Sequence, residues 1–586
     1  MKKLLDVLSE QMGLVFEQAG YDKAGGKVSL SNRPDLCEYQ CNGALSLAKQ
    51  CHRNPMEIAE AVGKLLTGDV FTDVNVAKPG FINFNLSPEF LKGYVQEMTD
   101  SDKFGLPAPE KEKTIIVDYG GPNVAKPLHV GHLRAAVIGE SIKRILRYAG
   151  HKVVGDIHMG DWGLQMGLII SELQVRNPGL PYFDESFTGD YPEEAPFTIS
   201  ELEEIYPAAS AKSKEDAAFK DKAMEATKKL QDGVRGYRAL WQKIIDISVA
   251  DLKKNYDKLK VDFDLWNGES TVHDEIAGMV QYLKDGGYAY MSDGALVVDV
   301  AREDDKKPIP PCMVLKSDGA ALYNTTDLAT LLVRKRDYHP DLIVYVVDKR
   351  QELYFEQVFR CAKKTGLTED KTELKFIGFG TMNGPDGKPF KTREGGVMRL
   401  ERLIAEIEAQ VRTEGREVEE NVVPADNTGS TTTEKIALAA LKYGDLSNQA
   451  TKDYCFDMNK FTSFEGDTGP YLLYTIVRIK SILRKYEKEA PTVLRAPEAA
   501  GEKALFRALT GFLPAMEYAE RELAPHRLCA YAYELANAFN SFYHETKILS
   551  EEDSAKRDGY IALAALCKGV LEQVIDLLGF EAPEMM

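Results

Sequence analysis

His129, Gly131 and His132 stand close together in the run LHVGHLRAA, and Lys126 precedes the first histidine by three residues. A short apolar run from Thr114 to Asp118 comes before them, and an amphipathic stretch with Ile138, Ile142 and Ile145 on one face comes after. The spacing predicts a strand, a loop of small residues and a helix. At such a junction the exposed amides and the helix dipole favour phosphate, and a glycine lets a nucleotide approach the backbone. Two imidazoles that donate hydrogen bonds, with one ammonium, can stabilise charge that builds on a phosphoryl group during in-line displacement. The same residues admit other uses. Two histidines three apart can hold a metal, although no third ligand stands nearby, or can lie on an ordinary surface. GxxxxGK[ST] is absent, so the loop is not a Walker motif. An HxGH pattern alone marks only a broad nucleotidyl-transfer class.

The elements that must position this loop read as a parallel sheet. Gly150 ends the predicted helix and Lys152 to Ile157 begins a second strand, which makes a βαβ unit with a right-handed crossover. Further strands are predicted at residues 341–347 and 374–380, an alternation that specifies an α/β sheet. Ligands of doubly wound sheets bind beyond the carboxyl ends of the strands. Between the two halves lies an insertion, with an irregular acidic and aromatic stretch at 177–204 and a long helix marked by Leu240, Ile244 and Ile247. Before the sheet, residues 1–100 read as a small α+β unit. PMEIAEAVGKLL is a helix with Ile58, Val62 and Leu65 on one face, and Pro79-Gly80 turns between two strands. A polar, proline-bearing linker covers 101–112. After Leu400 the strand pattern fades and PADNTGSTTTEK introduces a helical C-terminal third. The expected division is therefore 1–100, 112–400 and 401–586.

Bulk properties set limits. At 586 residues the chain exceeds one core, and 44% hydrophobic with 28% charged residues is a globular composition. No apolar run approaches the length of a membrane span, and Asp6 and Glu10 interrupt the N-terminal apolar stretch as a signal peptide. Eight scattered cysteines form no CxxC pair, which argues against zinc and for a reducing cytoplasm. The net charge of −18 does not exclude nucleic acid, because 73 Lys and Arg can still form local basic patches.

Residues 120–167, GGPNVAKPLHVGHLRAAVIGESIKRILRYAGHKVVGDIHMGDWGLQMG, resemble the signature of the arginyl-tRNA synthetases, class I enzymes with an HIGH-type motif. The likeness continues through FTISELEEIYPAASAK, YNTTDLATLLVRK, GTMNGPDGKPFKTREGG and ALKYGDLSNQATKDYCFDMNKFTSFEGDTGPYLLYTIVRI, so it covers almost the whole chain. It implies a Rossmann-like catalytic domain between an N-terminal domain that meets the outer corner of tRNA and an all-helical anticodon-binding domain. It also implies L-arginine, ATP with Mg2+ and tRNA(Arg) as substrates, no tightly bound cofactor, no zinc, and a monomer.

Carried over by resemblance, Asp327, Tyr323 and Gln351 read the arginine side chain, Asp118 and Asn123 hold its amino and carboxylate ends, and His158 of the HMGDWGLQ block joins the arginine site. The chemistry fits, because a guanidinium has five donors and no acceptor and calls for carboxylates. Asp327 alone could equally pair on a solvated helix. The second signature loop, GKPFKTREGG, departs from the usual KMSKS-like sequence, and Lys126 is the implied compensating lysine. Lys391 and Arg393 remain for the pyrophosphate end of ATP, or form a solvated basic loop. For tRNA, Tyr471 and Asn83 are the matching positions, although many C-terminal rings will be helix–helix core. The chain ends APEMM, unlike the arginine–methionine ending of many relatives. Two rival readings are a non-catalytic RNA-binding paralogue, and a nucleotidyltransferase with a small-molecule acceptor that would not need the helical third.

Overall fold

The computed structural model of the chain describes residues 1–33, 35–66, 68–384, 386–388, 398–414 and 431–586. Its N-terminal region runs α1 (Leu4–Gln18), β1 (Val28–Leu30), β2 (Tyr39–Cys41), α2 (Gly43–Cys51), α3 (Pro55–Gly63), β3 (Phe71–Ala77), β4 (Phe81–Leu86) and α4 (Pro88–Asp100). The strands form an antiparallel sheet in the order β1-β2-β4-β3. On β4 the period of two buries Ile82, Phe84 and Leu86 on the helix side and turns Asn83 to the other face. α3 starts where Asn54 accepts the Met56 amide at 2.9 Å, with Pro55 in the first turn. It ends at Gly63, so Ile58 and Val62 are buried while Leu65 lies beyond the helix, 41% exposed, and does not join their face as the spacing predicted.

The central region carries β5 (Thr114–Tyr119), α5 (Val130–Ala149), β6 (Lys152–Asp156), α6 (Leu164–Arg176), α7 (Ile199–Glu215), α8 (Ala217–Gln231), α9 (Arg235–Lys258) and α10 (His273–Asp285). A small antiparallel sheet follows, β7 (Ala289–Ser292), β8 (Ala295–Val298) and β9 (Cys312–Leu315), then α11 (Tyr323–Tyr338), β10 (Leu342–Asp348), α12 (Glu352–Thr365) and β11 (Glu373–Phe379). β5, β6, β10 and β11 make one parallel sheet in the order β11-β10-β5-β6. Ile115, Ile116 and Val117 are buried on both faces of it, as a covered parallel strand requires. The chain moves one way from β5 to β6 and the other way from β10 to β11. The strand order therefore reverses between β5 and β10, and a crevice opens at their carboxyl ends. Gly139 lets α5 lie close on this sheet, since a Cβ there would stand 2.2 Å from the Tyr119 ring.

Two expectations for the insertion change. The stretch 177–204 is not irregular throughout. α7 already begins at Ile199, where Thr198 and Glu201 form a reciprocal capping box. In the long helix α9, Leu240 and Ile244 are buried while Ile247 is only partly so.

The C-terminal region holds β12 (Met382–Asn383), α13 (Leu400–Glu414), α14 (Thr432–Leu446), β13 (Tyr454–Cys455), α15 (Met458–Thr462), α16 (Gly469–Tyr486), α17 (Ala500–Thr510), α18 (Phe512–Glu522), α19 (His526–Glu545) and α20 (Ser554–Leu577). β13 pairs with β12, and among the described residues of 401–586 β13 is the one strand that interrupts the expected helical third. Arg134 of α5, 2% exposed, ties this region to the sheet. It pairs with Asp445 of α14 at 2.8 Å and donates to the carbonyls of Gly380 and Lys452. Among the described residues no helix is long and apolar enough to cross a membrane, and no group of three or more His, Cys, Asp or Glu could hold a metal ion.

Candidate active site

The signature loop connects β5 to α5 with backbone that few residues adopt, including Gly120 at φ 71° and Ala125 at φ 58°. His129 is the N-cap of α5. Its Nδ1 accepts the Gly131 amide at 3.0 Å, and the His132 Nδ1 accepts the His129 amide at 3.2 Å. A backbone N–H can only meet an acceptor, so both rings carry their proton on Nε2 when neutral. They are neutral near pH 7. Burial, then His129 and Lys126, pushes His132 down to about 3, and burial with Lys126 also lowers His129. The ring centroids lie 3.9 Å apart. Gly131 is required by this arrangement, because a Cβ there would stand 2.7 Å from the His129 ring.

The segment after the second signature loop is fastened to the first. The Val130 amide donates to the Met398 carbonyl at 3.1 Å and the Leu400 amide to the Leu128 carbonyl at 3.0 Å. Lys391 and Arg393 lie outside the described residues. Lys126 rests on the ring of Tyr206, its Nζ 4.3 Å from the centroid, and Arg399 pairs with Glu203 at 2.8 Å. Tyr206 and Glu203 both belong to α7, so one insertion helix meets a cation from each signature segment.

A cavity of about 610 Å³ opens at the carboxyl ends of β5 and β10. It brings together Asp118, Asn123, Gly131, His132, His158, Tyr323, Asp327 and Gln351, which the sequence placed in one site from segments more than two hundred residues apart. His129 stacks on His132 at its edge. At one end Asp327 Oδ1 stands 3.9 Å from His158 Nε2, and Asp327 Oδ2 accepts the Tyr354 hydroxyl. Both ring nitrogens of His158 are buried without a hydrogen-bond partner, and its φ is 39°. Unsatisfied buried polar atoms are costly, and strain of this kind gathers at ligand sites. Glu269 and Tyr354 also line this end. Burial raises the carboxyls of Asp327 and Glu269, the latter to about 7, with His158 opposing in both. Asp118 is not a free carboxylate, because its Oδ2 pairs with the buried Arg334 at 2.6 Å. Asn123 fits beside Gly160, where a Cβ would lie 2.1 Å from the Asn123 Oδ1.

Glu269, Tyr354, Arg334 and Tyr206 escaped the sequence reading. Tyr206 and Arg334 had a signal, since they lie in the quoted blocks FTISELEEIYPAASAK and YNTTDLATLLVRK, whereas Glu269 and Tyr354 lie in none.

The two residues expected to meet tRNA do not line this cavity. Asn83 sits on the outer face of the N-terminal sheet, registered between Asn75 and Gln40, and accepts Gln40 Nε2 at 3.0 Å. Tyr471 is in the first turn of α16. Its hydroxyl donates to Asn537 Oδ1 at 2.7 Å and accepts Asn540 Nδ2 at 2.9 Å, so it joins α16 to α19. Tyr531, Phe539 and Phe542 are buried in the helical core. Tyr474 and Tyr543 are exposed and flank the Arg478 guanidinium at 4.7 and 5.0 Å.

Sequence comparison accounts for most of the chain. Residues 95–458 match the family model for the catalytic domain of class I (R) tRNA synthetases, residues 2–86 that for the arginyl tRNA synthetase N-terminal domain, and residues 472–586 that for the DALR anticodon-binding domain. The chain is 57% identical over 597 residues to the arginine-tRNA ligase of Agathobacter rectalis, and 56% identical over 590 residues to that of Alkaliphilus oremlandii. Each alignment spans 100% of both proteins. Its fold is that of the solved arginyl-tRNA synthetases of Plasmodium falciparum (TM-score 0.78, 24% identity) and Thermus thermophilus (TM-score 0.75, 23% identity), again over 100% of both chains. With relatives this similar over their full length, and with the family's signature loop at the switch point of the sheet, the chain belongs to the arginyl-tRNA synthetases.

Proposed function

We infer that the chain ligates L-arginine to tRNA(Arg) in two displacements at the cavity of the parallel sheet. In the first, an arginine carboxylate oxygen attacks the α-phosphorus of ATP, the bond to the β-phosphate breaks, and pyrophosphate leaves arginyl-adenylate. In the second, the 2′-hydroxyl of the terminal adenosine attacks the arginyl carbonyl and AMP departs. No side chain acts as nucleophile. Positioning and electrostatic stabilisation supply the rate.

The observation that carries this reading is the pairing of two chemistries in one cavity. One end has buried carboxyls, Asp327 and Glu269, raised by burial and facing an unpartnered His158. That end fits a planar, multi-donor cation, with Tyr323 and Gln351 closing over it. The other end has His132 beside His129, each with Nε2–H as its free donor, fitting phosphoryl oxygens whose charge grows during displacement. Asp118 and Asn123 then fall to the amino and carboxylate groups between the two ends. Lys126, Lys391 and Arg393 serve the pyrophosphate side, where Mg2+ arrives with ATP as part of the substrate. Residues 1–100 and 401–586 meet the outer corner and the anticodon arm of tRNA, around a catalytic unit of 112–400. Exposed Tyr474 and Tyr543, with Arg478 between them, offer a better stacking surface than Tyr471. The protein acts as a monomer in the cytoplasm, a reading that its free cysteines support.

Isotope exchange between pyrophosphate and ATP, run with each amino acid with and without tRNA, tests this. Exchange with arginine, and only when tRNA is present, is the expected result. Exchange with no amino acid under either condition would leave a binding protein, and exchange with a non-amino-acid carboxylate would leave a small-molecule nucleotidyltransferase.

A further inference from the structure

Arg334 has no part in the reading above, although it is a deeply buried charge beside the cavity. It lies on α11, 3% exposed, and its Nη2 stands 2.6 Å from Asp118 Oδ2 and 2.7 Å from Asp156 Oδ2. Its Nη1 donates to the Tyr345 hydroxyl at 3.0 Å. Strand register explains the convergence, because Asp118 of β5 is paired with Asp156 of β6 on one side and with Tyr345 of β10 on the other. One planar fork thus closes the carboxyl ends of three adjacent strands. Lysine, a point charge, cannot reproduce that geometry.

The two carboxylates differ in what they have left to offer. Asp156 is fully used, since its Oδ1 also accepts the His158 amide at 3.2 Å. Among the described residues no hydrogen bond reaches Asp118 Oδ1, and Asp118 lines the cavity. Two carboxylates against one guanidinium leave one negative charge, which is the complement of a single ammonium. Without the guanidinium, two buried carboxylates on neighbouring strands could not both stay ionised.

We propose that Arg334 is a positioning residue for amino-acid recognition, fixing Asp118 by its Oδ2 so that Oδ1 is left to the cavity for the substrate α-ammonium. This rests on the assignment of Asp118 to the amino end, so the test separates the two claims. The full-length protein and its Arg334→Gln, Arg334→Lys and Asp118→Asn variants are compared for the arginine KM in charging at saturating ATP and tRNA. The same proteins are compared for inhibition by 5-guanidinopentanoate, which is arginine without its amino group. Arg334→Gln is expected to raise the arginine KM about tenfold or more, with the inhibition constant of the des-amino compound nearly unchanged. Asp118→Asn is expected to give the same split. Arg334→Lys, which keeps the charge and loses the fork, is expected to fall between, and decides the matter if Arg334→Gln does not fold. Equal weakening of both ligands in the Arg334 variants, with the split kept in Asp118→Asn, would overturn the role of Arg334 alone. An Asp118→Asn variant without the split would overturn the amino-end assignment and the proposal with it.

Discussion

Glu269 gives the proposed arginine pocket a pH dependence whose sign and size follow from its surroundings. Burial lifts its carboxyl to about 7, His158 opposes the rise, and Asp161 and Asp327 add to it. A guanidinium prefers the ionised form, so arginine must displace a proton wherever Glu269 is protonated beforehand. Near pH 8 the group is mostly ionised. Near pH 6 roughly ten molecules in eleven carry the proton. Apparent affinity is therefore lost as pH falls through 7, about tenfold between pH 8 and pH 6, or about 1.4 kcal/mol. The assay is the arginine KM of charging at saturating ATP and tRNA across that range, repeated with Glu269→Gln. The native protein is expected to show the rise in KM at low pH, and the Gln variant a higher KM that is level through the window. A level native profile, or a slope that survives in the Gln variant, would refute the reasoning and move the titration to another raised carboxyl such as Asp327.

Three further outcomes are expected. Asp327→Ala removes a charged partner and leaves the Tyr354 hydroxyl unpaired, so kcat/KM for arginine falls about a hundredfold or more while the KM of ATP changes little; an unchanged arginine KM would count against the guanidinium assignment. His132→Gln keeps an acceptor at the third position of α5, where it can cap the His129 amide, but lacks the Nε2 donor. Its thermal unfolding should match the native protein while single-turnover adenylate formation with tRNA bound slows about a hundredfold, and a normal rate would make the ring purely structural. Tyr474→Ala with Tyr543→Ala should raise the KM of tRNA about tenfold and leave arginine and ATP unaffected; Tyr471→Ala should instead loosen α16 from α19, seen as a lower unfolding temperature.

The parallel sheet was legible because its strands carry short apolar runs between helical stretches, and Thr114 to Asp118 is the clearest case, whereas β11 holds Lys375 and Gly378 within its run. The antiparallel β7-β8-β9 sheet was not read, although its hairpin turns at Asp293-Gly294, both with positive φ, which is the dipeptide most suited to a two-residue turn. Its strands are only four residues each, too short for alternation to stand out from the surrounding charge. Leu65 was misplaced because periodicity continues past Gly63 while the helix does not. In the site, residues within the quoted motifs could be found from sequence. Glu269 lies in none of them, and Arg334, although it stands in YNTTDLATLLVRK, shows its part only once it is buried. Glu269 follows a glycine whose Cβ would collide with Asp161, and Arg334 reads as one more charge in a basic helix until the sheet register gathers Asp118, Asp156 and Tyr345 around it.

The paired histidines dissolve a choice that the sequence posed between a structural and a chemical use. Each ring has two nitrogens and the fold consumes one. Nδ1 of His129 closes the first turn of α5 and Nδ1 of His132 returns the bond to the His129 amide, an arrangement that needs residues three apart and a glycine between them. The spacing of the HxGH pattern is thus explained by helix capping alone. What capping leaves behind is the chemistry. With Nδ1 spent as an acceptor and burial and Lys126 favouring the neutral rings, Nε2 of each neutral ring is a donor. The donors at the proposed phosphate end are therefore fixed before any nucleotide arrives and need no reorganisation when charge develops, which is the condition under which such groups lower a barrier most.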